Sequence, residues 1–311
     1  MRAFAIPLRT RFRRTDVREG VVWRGACGWG EWSPFPEYPP PVTARWLAAA
    51  REAAQTPWPA PLRDTIPVNV TVPVVPPGTA HQIVADSGCS TAKVKVAEPG
   101  QPFSDDLARV EAVRDALGRS GKLRVDANGA WTVDQAVDRL RLLSAFDLEY
   151  AEQPVATLSE MTALRRRVGV PLAADEVVRL AGDPTRLAGL SEAADVVVLK
   201  VQPLGGVWPA LRVAEACGLP VVVSSALETS VGIAGGLALA AALPELPYAC
   251  GLATVQLLSA DVVADPLLPV GGAIAVRRPE VDEQRLAAVE LTGDDRLRWE
   301  LRLTAAEEAA R

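Results

Sequence analysis

Polar signatures punctuate the middle of this chain at the ends of apolar, strand-like runs: Lys93-Val-Lys95, Arg124-Val-Asp126-Ala-Asn128, Glu152-Gln153-Pro154, Asp175-Glu176 and Leu199-Lys200. From Asp126 onward they recur roughly 25 residues apart, the length of one strand-helix unit in a parallel barrel. No other feature constrains the fold as strongly. Strands of a closed parallel barrel present their C-terminal ends at one mouth, so carboxylates and lysines distant in sequence are expected to converge there.

The apolar runs place strands at 68–74, 91–97, 122–128, 148–153, 171–176, 195–201, 220–226 and about 248–254, eight in all. Amphipathic helices are expected between them, among them 104–117 and 132–144, the latter opening on a Thr132/Gln135 capping box. Ahead of the barrel, residues 2 to about 59 read as a small α+β cap. Strand-like alternation runs through 2–11 and 20–33, and a helix over 43–55 has Thr43 as its N-cap. The Pro-rich stretch 57–67 is a natural boundary. After about Asp265 the chain passes through Pro- and Gly-rich sequence to a charged tail, which is expected to fold back on the cap. The division is therefore 1–62 for the cap, 63–265 for the barrel and 266–311 for the return. A chain of 311 residues has room for a barrel of about 250 residues and a smaller appendage.

Composition narrows the function. About half the residues are apolar and about a quarter charged, with a net charge of −5. The arginines near the start (Arg9, Arg11, Arg13, Arg14, Arg18) form a local patch in an acidic chain, not the footprint of a nucleic-acid binder. The apolar run 231–243 is too short to cross a bilayer and is stopped by Pro244. Arg2, Pro7, Arg9 and Arg11 interrupt any signal-peptide core, so a cytoplasmic protein is expected. Cys27, Cys89, Cys217 and Cys250 lack paired spacing and read as reduced thiols. The single histidine, His81, falls in a helix remote from the signatures, which sets aside Ser-His-Asp triads and multi-histidine metal sites.

Strand parity tests the convergence. Side chains at i and i+2 share a face, so Lys93 with Lys95, and Arg124 with Asp126 and Asn128, point together toward the barrel interior. Val94, Val125 and Ala127 then face the helices. Singly, each signature has a plainer reading, Lys-Val-Lys as the wet face of an edge strand and Asp-Ala-Asn-Gly as a turn. Jointly they do not, because Lys95 and Lys200 in central parallel strands must be paired or bound to a ligand.

The order Lys-x-Lys, Asp, Glu, Asp-Glu, Lys across successive strands resembles the muconate-lactonizing subgroup of the enolase superfamily. Arg124-Val-Asp126-Ala-Asn128-Gly129, with Ser224-Ser225 and Cys250-Gly251-Leu252, more narrowly resembles the o-succinylbenzoate synthases of menaquinone biosynthesis. The likeness extends to Gly28-Trp29-Gly30-Glu31 in the cap and to Gly271-Gly272 in the return. It implies an α/β fold, a modified TIM barrel of (β/α)₇β type under an α+β capping domain, with the active site between the two. It also implies that Asp126, Glu152 and Asp175 bind one Mg²⁺, with Mn²⁺ as an acceptable replacement, that Lys95 is the base, and that Lys200 lies on the opposite face of a small carboxylate substrate.

That chemistry accounts for the residue types. Three carboxylates form a hard site suited to Mg²⁺, whereas zinc favours nitrogen or sulfur. A proton beside a carboxylate is very weakly acidic, and removing it builds an enediolate whose charge the metal and nearby cations must hold. An ordinary lysine is protonated at neutral pH. Lys93, Lys200 and the metal are expected to bring Lys95 down to roughly 7–8, with Lys93 as the tuner. The reaction implied is Mg²⁺-dependent syn dehydration of 2-succinyl-6-hydroxy-2,4-cyclohexadiene-1-carboxylate to 2-succinylbenzoate. Arg124, Asn128, Ser224, Ser225 and Gly251 are the candidate substrate contacts. N-succinyl amino acid racemization, or a related cycloisomerase or epimerase reaction, is the alternative, since a lysine on each face also suits a two-base racemase. A non-catalytic barrel predicts loss of a ligand or base, and none is lost. Sequence says nothing of oligomeric state.

Overall fold

A computed structural model describes residues 1–311. Its first strands, β1 (Arg2–Phe12), β2 (Thr15–Gly25) and β3 (Gly28–Trp32), form an antiparallel sheet in that order. Arg13 and Arg14 make the tip between β1 and β2, at φ values of 49° and 62°. Two-residue hairpin turns demand such left-handed values, which are costly for residues with a Cβ. The expected strand 20–33 is two strands, broken by the turn at Ala26 and Cys27. Next, α1 (Pro40–Gln55) packs on β3 so closely that a Cβ on Gly30 would lie 2.2 Å from the Ala50 carbonyl oxygen. The helix starts at Pro40, ahead of the expected cap at Thr43. Proline at the first helical position gives up an N–H that has no partner there anyway. Thr43 is instead buried in the first turn, where its hydroxyl donates to the Pro40 carbonyl.

After β4 (Thr65–Pro67), seven strands form one parallel sheet in sequential order: β5 (Val70–Val72), β6 (Thr91–Lys95), β7 (Lys122–Asp126), β8 (Leu148–Glu152), β9 (Leu172–Ala174), β10 (Val196–Lys200) and β11 (Val221–Ser224). Between them lie α2 (Pro77–Ser87), α3 (Phe103–Leu117), α4 (Val133–Leu143), α5 (Leu158–Arg165), the short α6 (Glu176–Arg179), α7 (Leu190–Ala193) and α8 (Val201–Leu204), and α9 (Val207–Cys217); α10 (Ser230–Ala242) follows β11. The Thr132/Gln135 capping box is present at the start of α4. Ordinary barrel packing follows from parity. Val94, Val125, Ala151 and Leu199 join the large core under the helices, while Tyr150, Ala173, Val196, Val198 and Val222 form a separate cluster inside the barrel.

The eighth stave departs from expectation. In place of a strand over 248–254, only Cys250 and Gly251 join the ring, through parallel bridges Val68–Cys250 and Ser224–Gly251. Backbone bonds hold them: Cys250 N donates to Pro67 O and Gly251 N to Val223 O, each at 2.8 Å. Residues 249–253 include no β-branched side chain to favour a longer strand, and the chain turns into a 3₁₀ segment (Ala253–Leu257). Gly251 lies tight against β11, for a Cβ there would lie 2.5 Å from Ser224 Oγ and the serine side chain would have to turn away.

Beyond the ring the chain returns to the cap. There β12 (Ala273–Ala275) pairs antiparallel with β4, followed by α11 (Glu283–Ala288) and by α12 (Gly293–Ala309), which packs on α1. Leu258, Val262, Leu286 and Trp299 thereby enter one core with Phe4, Ile6, Trp32 and Trp46. Trp32 and Trp299 meet edge to face with ring centres 5.5 Å apart. His81 lies partly exposed on α2, its Nε2 3.3 Å from Asp115, and all four cysteines are free. No helix is long and apolar enough to cross a membrane.

Trp32 is fully buried at the junction of β3, α1 and α12, and its indole N–H donates to the Thr43 carbonyl. Trp32→Ala is expected to destabilise the protein by about 3–5 kcal/mol, read from urea unfolding followed by far-UV circular dichroism.

Candidate active site

Parallel register sets three signature residues level with one another. Lys95 at the end of β6 pairs with Asp126 at the end of β7, and Asp126 with Glu152 at the end of β8. Asp175 follows β9 directly, Lys200 ends β10 and Ser224 ends β11. Counting the Cys250–Gly251 stave as the eighth, β6 and β10 are half a barrel apart. Lys95 and Lys200 therefore stand on opposite sides of the mouth, with the three carboxylates on the strands between them.

All three carboxylates are buried, and buried charges must be compensated. Lys93 Nζ donates to both oxygens of Glu152 at 2.8 and 2.7 Å and lies 3.4 Å from Asp126. Lys95 Nζ donates to Asp126 Oδ2 at 2.5 Å and to Asn128 Oδ1 at 2.7 Å. Lys200 Nζ donates to Asp175 Oδ2 at 2.5 Å, and Arg179 Nε to Asp175 Oδ1 at 3.1 Å. Backbone supports complete the array. Asn128 N donates to Asp126 Oδ1, and Gln153 Oε1 accepts from the backbone N–H groups of Asp175 and Val177. Asn128 and Gln153 sit at φ 47° and 38°, left-handed conformations that functional strand ends tolerate when surrounding bonds enforce them.

Titration follows from this pairing. Burial would raise Asp126, but Lys95 and Lys93 outweigh it and hold the group well below the usual carboxylate range. Asp175 is held low in the same way, burial being overridden by Lys200 and Arg179. Glu152 is pushed up to about 7, by burial first and by the Asp126 charge next. The single charge of Lys93 serves two carboxylates, and Glu152 has no other close cation. Burial would lower Lys93, yet Glu152 and Asp126 raise it and fix it as a cation. Lys95 is lowered, by burial first and then by Lys93, against the pull of Asp126. The expected cause was the crowding of cations alone; desolvation is the larger part.

No three His, Cys, Asp or Glu side chains form a ready-made metal cage, and a lysine ammonium group lies against each of the three carboxylates. The donor chemistry nevertheless fits a hard divalent cation: three neighbouring carboxylates on adjacent strand ends, with no nitrogen or sulfur ligand among them. Crowding of Glu152 by Asp126 and Asp175 is the repulsion that such a cation relieves.

The mouth encloses a cavity of about 30 Å³ whose wall includes Lys95, Asp126, Asn128, Lys200, Ser224 and Gly251. Ser225 and Thr254 also line it, their hydroxyls 2.7 Å apart. The cap supplies the roof through Phe12, Arg13 and Phe35, with Lys95 Nζ 5.3 Å from the centre of the Phe12 ring. Sequence reasoning did not single out Phe12, Phe35 or Thr254 for the site. It also gave no role to Arg179, although its position four residues past Asp175 on a helical turn was a readable signal.

Arg124 is the correction. It faces the barrel interior, as parity requires, but below the mouth and outside the cavity wall. Its Nε donates to Glu149, and its Nη1 to Asn69 Oδ1 and the Ala249 carbonyl. The guanidinium stacks 4.7 Å from the Tyr150 ring centre. It is buried and stands apart from the cavity wall, with Nη2 left without a hydrogen-bond partner.

A barrel with this arrangement under an α+β cap defines the enolase class of protein, and sequence comparison agrees. The model for the enolase C-terminal domain-like family matches residues 78–280, and that for the enolase N-terminal domain-like family matches 3–54. The o-succinylbenzoate synthase of Thermobifida fusca is 67% identical over 308 residues, covering 99% of this chain and 96% of that protein. That of Mycolicibacterium smegmatis is 52% identical over 297 residues, covering 95% and 91%. The chain belongs to the o-succinylbenzoate synthase family of the enolase superfamily. In fold it is similar to the muconate lactonizing enzyme of Pseudomonas fluorescens, with a TM-score of 0.80 at 22% identity over 93% of this chain and 97% of that one.

Arg124→Gln breaks a buried ion pair and should cost about 3–5 kcal/mol of stability while leaving the Michaelis constant of the folded enzyme within about twofold. Thermal unfolding and steady-state kinetics on the same preparation check both halves.

Proposed function

We propose that this protein is an o-succinylbenzoate synthase, a hydro-lyase that converts 2-succinyl-6-hydroxy-2,4-cyclohexadiene-1-carboxylate to 2-succinylbenzoate. The observation that carries the reading is the 67% identity over nearly the full chain to a protein of that name. A place in menaquinone biosynthesis and in the cytoplasm belongs to the same proposal, as do Asp126, Glu152 and Asp175 as ligands of one Mg²⁺. When bound, Mg²⁺ supplies positive charge to the substrate carboxylate as the enediolate forms.

Lys95 is the base. Its neutral amine takes the ring proton beside the carboxylate, leaving the electron pair of the broken C–H bond in the enediolate. That pair returns to form the new ring double bond as the C–O bond breaks, and the proton held by Lys95 leaves with the hydroxyl as water. One lysine serves both steps because both bonds lie on the same face. Lys93, fixed as a cation against Glu152, lowers Lys95 and stays charged throughout. Lys200, across the mouth, attracts the developing negative charge from the other side. Asn128 orients Lys95 through its Oδ1 and is itself held by a bond from its Nδ2 to Glu176. Ser224, Ser225 and Gly251 meet the succinyl chain.

Three measurements test this. Exhaustive chelation is expected to abolish dehydration and added Mg²⁺ to restore it, with Glu152→Gln losing most activity; full turnover in chelated protein would sink the site assignment. Because a base must be unprotonated, activity should rise with pH and level off below 10.5, the ordinary lysine value from which Lys95 is lowered. A rate that fell over that limb would exclude Lys95 as the base. The opposed lysines also suit a two-base racemase of N-succinyl amino acids, and Lys200→Arg separates the two readings. A dehydratase needs only charge there and should retain activity, while Lys95→Ala should abolish it. Rapid deuterium uptake by both enantiomers of an N-succinyl amino acid, with negligible dehydration by the unmodified enzyme, would make racemization the function.

A further inference from the structure

The signature Asp175-Glu176 brings two carboxylates to the end of β9, and the proposed reaction uses only the first as a ligand. Glu176 opens α6 and its side chain is largely buried. It stands behind the cavity wall, to which Asn128 and Lys95 contribute and Glu176 does not. Both bonds to its carboxylate fall on Oε1, where Asn128 Nδ2 donates at 3.0 Å and Arg179 Nη2 at 2.7 Å. Arg179 donates also to Asp175 Oδ1 and to the Tyr38 hydroxyl of the cap, which fixes it in place and leaves the carboxylate little freedom. The other oxygen, Oε2, is buried without a hydrogen-bond partner.

The Asn128 amide thus lies between a carboxylate, which can only accept, and Lys95. A carboxamide has one accepting end and one donating end. With Nδ2 turned to Glu176, Oδ1 faces Lys95 Nζ at 2.7 Å. Asp126 Oδ2 takes a second N–H of Lys95 at 2.5 Å, and the third has no acceptor in the protein. A neutral amine keeps two N–H bonds, which these two acceptors hold, so its lone pair takes the third direction, open to the cavity. Turned end over end, the amide would offer an N–H to Lys95 instead. An ammonium group has no lone pair to receive it, but the neutral amine does. The electron pair meant for the substrate's proton would then be tied up. That turn would also set the amide oxygen against the Glu176 carboxylate, acceptor against acceptor.

We infer that Glu176 is a positioning residue for the base: it locks the Asn128 amide with its oxygen toward Lys95 and so keeps the lone pair of the neutral amine free for the substrate. This rests on the dehydratase reading and goes further, since it gives the second carboxylate of the signature a task apart from the metal.

The test compares Glu176→Met, which removes the acceptor from a side chain of similar length, with Glu176→Gln, which removes the charge but keeps an oxygen able to stand where Oε1 does. Steady-state dehydration is measured for both at saturating Mg²⁺, together with the Mg²⁺ concentration that gives half activity. Glu176→Met is expected to lower kcat by about 10- to 100-fold, the worth of a hydrogen bond to a charged group. Its KM and Mg²⁺ requirement should stay within about twofold of the unmodified enzyme. Glu176→Gln should recover most of the lost rate. Asn128→Gly has no amide to turn, and glycine suits the left-handed backbone there. In that background Glu176→Met should cost less than about threefold, because the two residues act as one unit. An unchanged rate in Glu176→Met, or Glu176→Gln no better than Glu176→Met, would overturn the lock. So would a Mg²⁺ requirement raised in step with the lost rate, or an equal loss in the Asn128→Gly background. Should Asn128→Gly be too slow to measure, the two variants at Glu176 decide alone. Absence of dehydration in the unmodified protein would overturn the functional reading and this inference together, whereas any of the other failures leaves that reading standing.

Discussion

Three buried carboxylates on adjacent strand ends are the constraint from which the rest of the mouth follows. Left alone, Asp126, Glu152 and Asp175 would repel one another in a medium that screens poorly. The sequence answers with cations on the flanking strands, Lys93 and Lys95 on one side and Lys200 on the other, and with Arg179 on the helical turn that follows Asp175. A second balanced pair, Arg124 with Glu149, sits beneath, and Glu176 ties Asn128 to Arg179 at the rim. Five cations thus face five carboxylates. Under the proposed function, a divalent metal and a dicarboxylate substrate arrive with equal and opposite charge, so the loaded site is as balanced as the empty fold.

This balance explains why Lys93 and Lys95 are chemically unlike. Lys95 gains only partial compensation and is lowered chiefly by burial, whereas Lys93, against two carboxylates, remains charged. Two residues of one type, one turn of the pleat apart, acquire different states from their neighbours alone. A lysine poised to give up its proton needs a permanently charged one beside it and a wall that excludes water; the cap, through Phe12, supplies that wall.

Much of this was legible in the sequence, because a parallel barrel converts spacing into position. Lys95, Asp126, Glu152, Asp175 and Lys200 fall where the strand-helix period places them, and parity gives their common face. Choice of partner is another matter. Arg124 shares the face of Asp126 and the level of Lys93, yet its guanidinium turns to Asn69, Glu149 and the Ala249 carbonyl while Lys93 reaches the cavity wall. The eighth stave was overestimated because a run of small apolar residues reads as a strand whether or not its backbone is paired. Phe12 and Phe35 were not legible, since their nearness to the mouth depends on how the cap docks, which no local pattern encodes.

The two-residue stave at Cys250 and Gly251 divides the barrel's labour. From β6 to β10 the wall is continuous hydrogen-bonded sheet, and Lys93, Lys95, Asp126, Glu152 and Lys200 sit on it, with Asp175 directly after β9. The opposite arc is a seam, closed by a few backbone bonds and followed by the 3₁₀ segment that carries Thr254. Ser224, Ser225 and Gly251 border that seam, and the cap hairpin hangs above it. Under the proposed function, substitutions there would change what the substrate's chain meets while the paired strands keep their register. A barrel built this way is free to change what it accepts without relearning what it does.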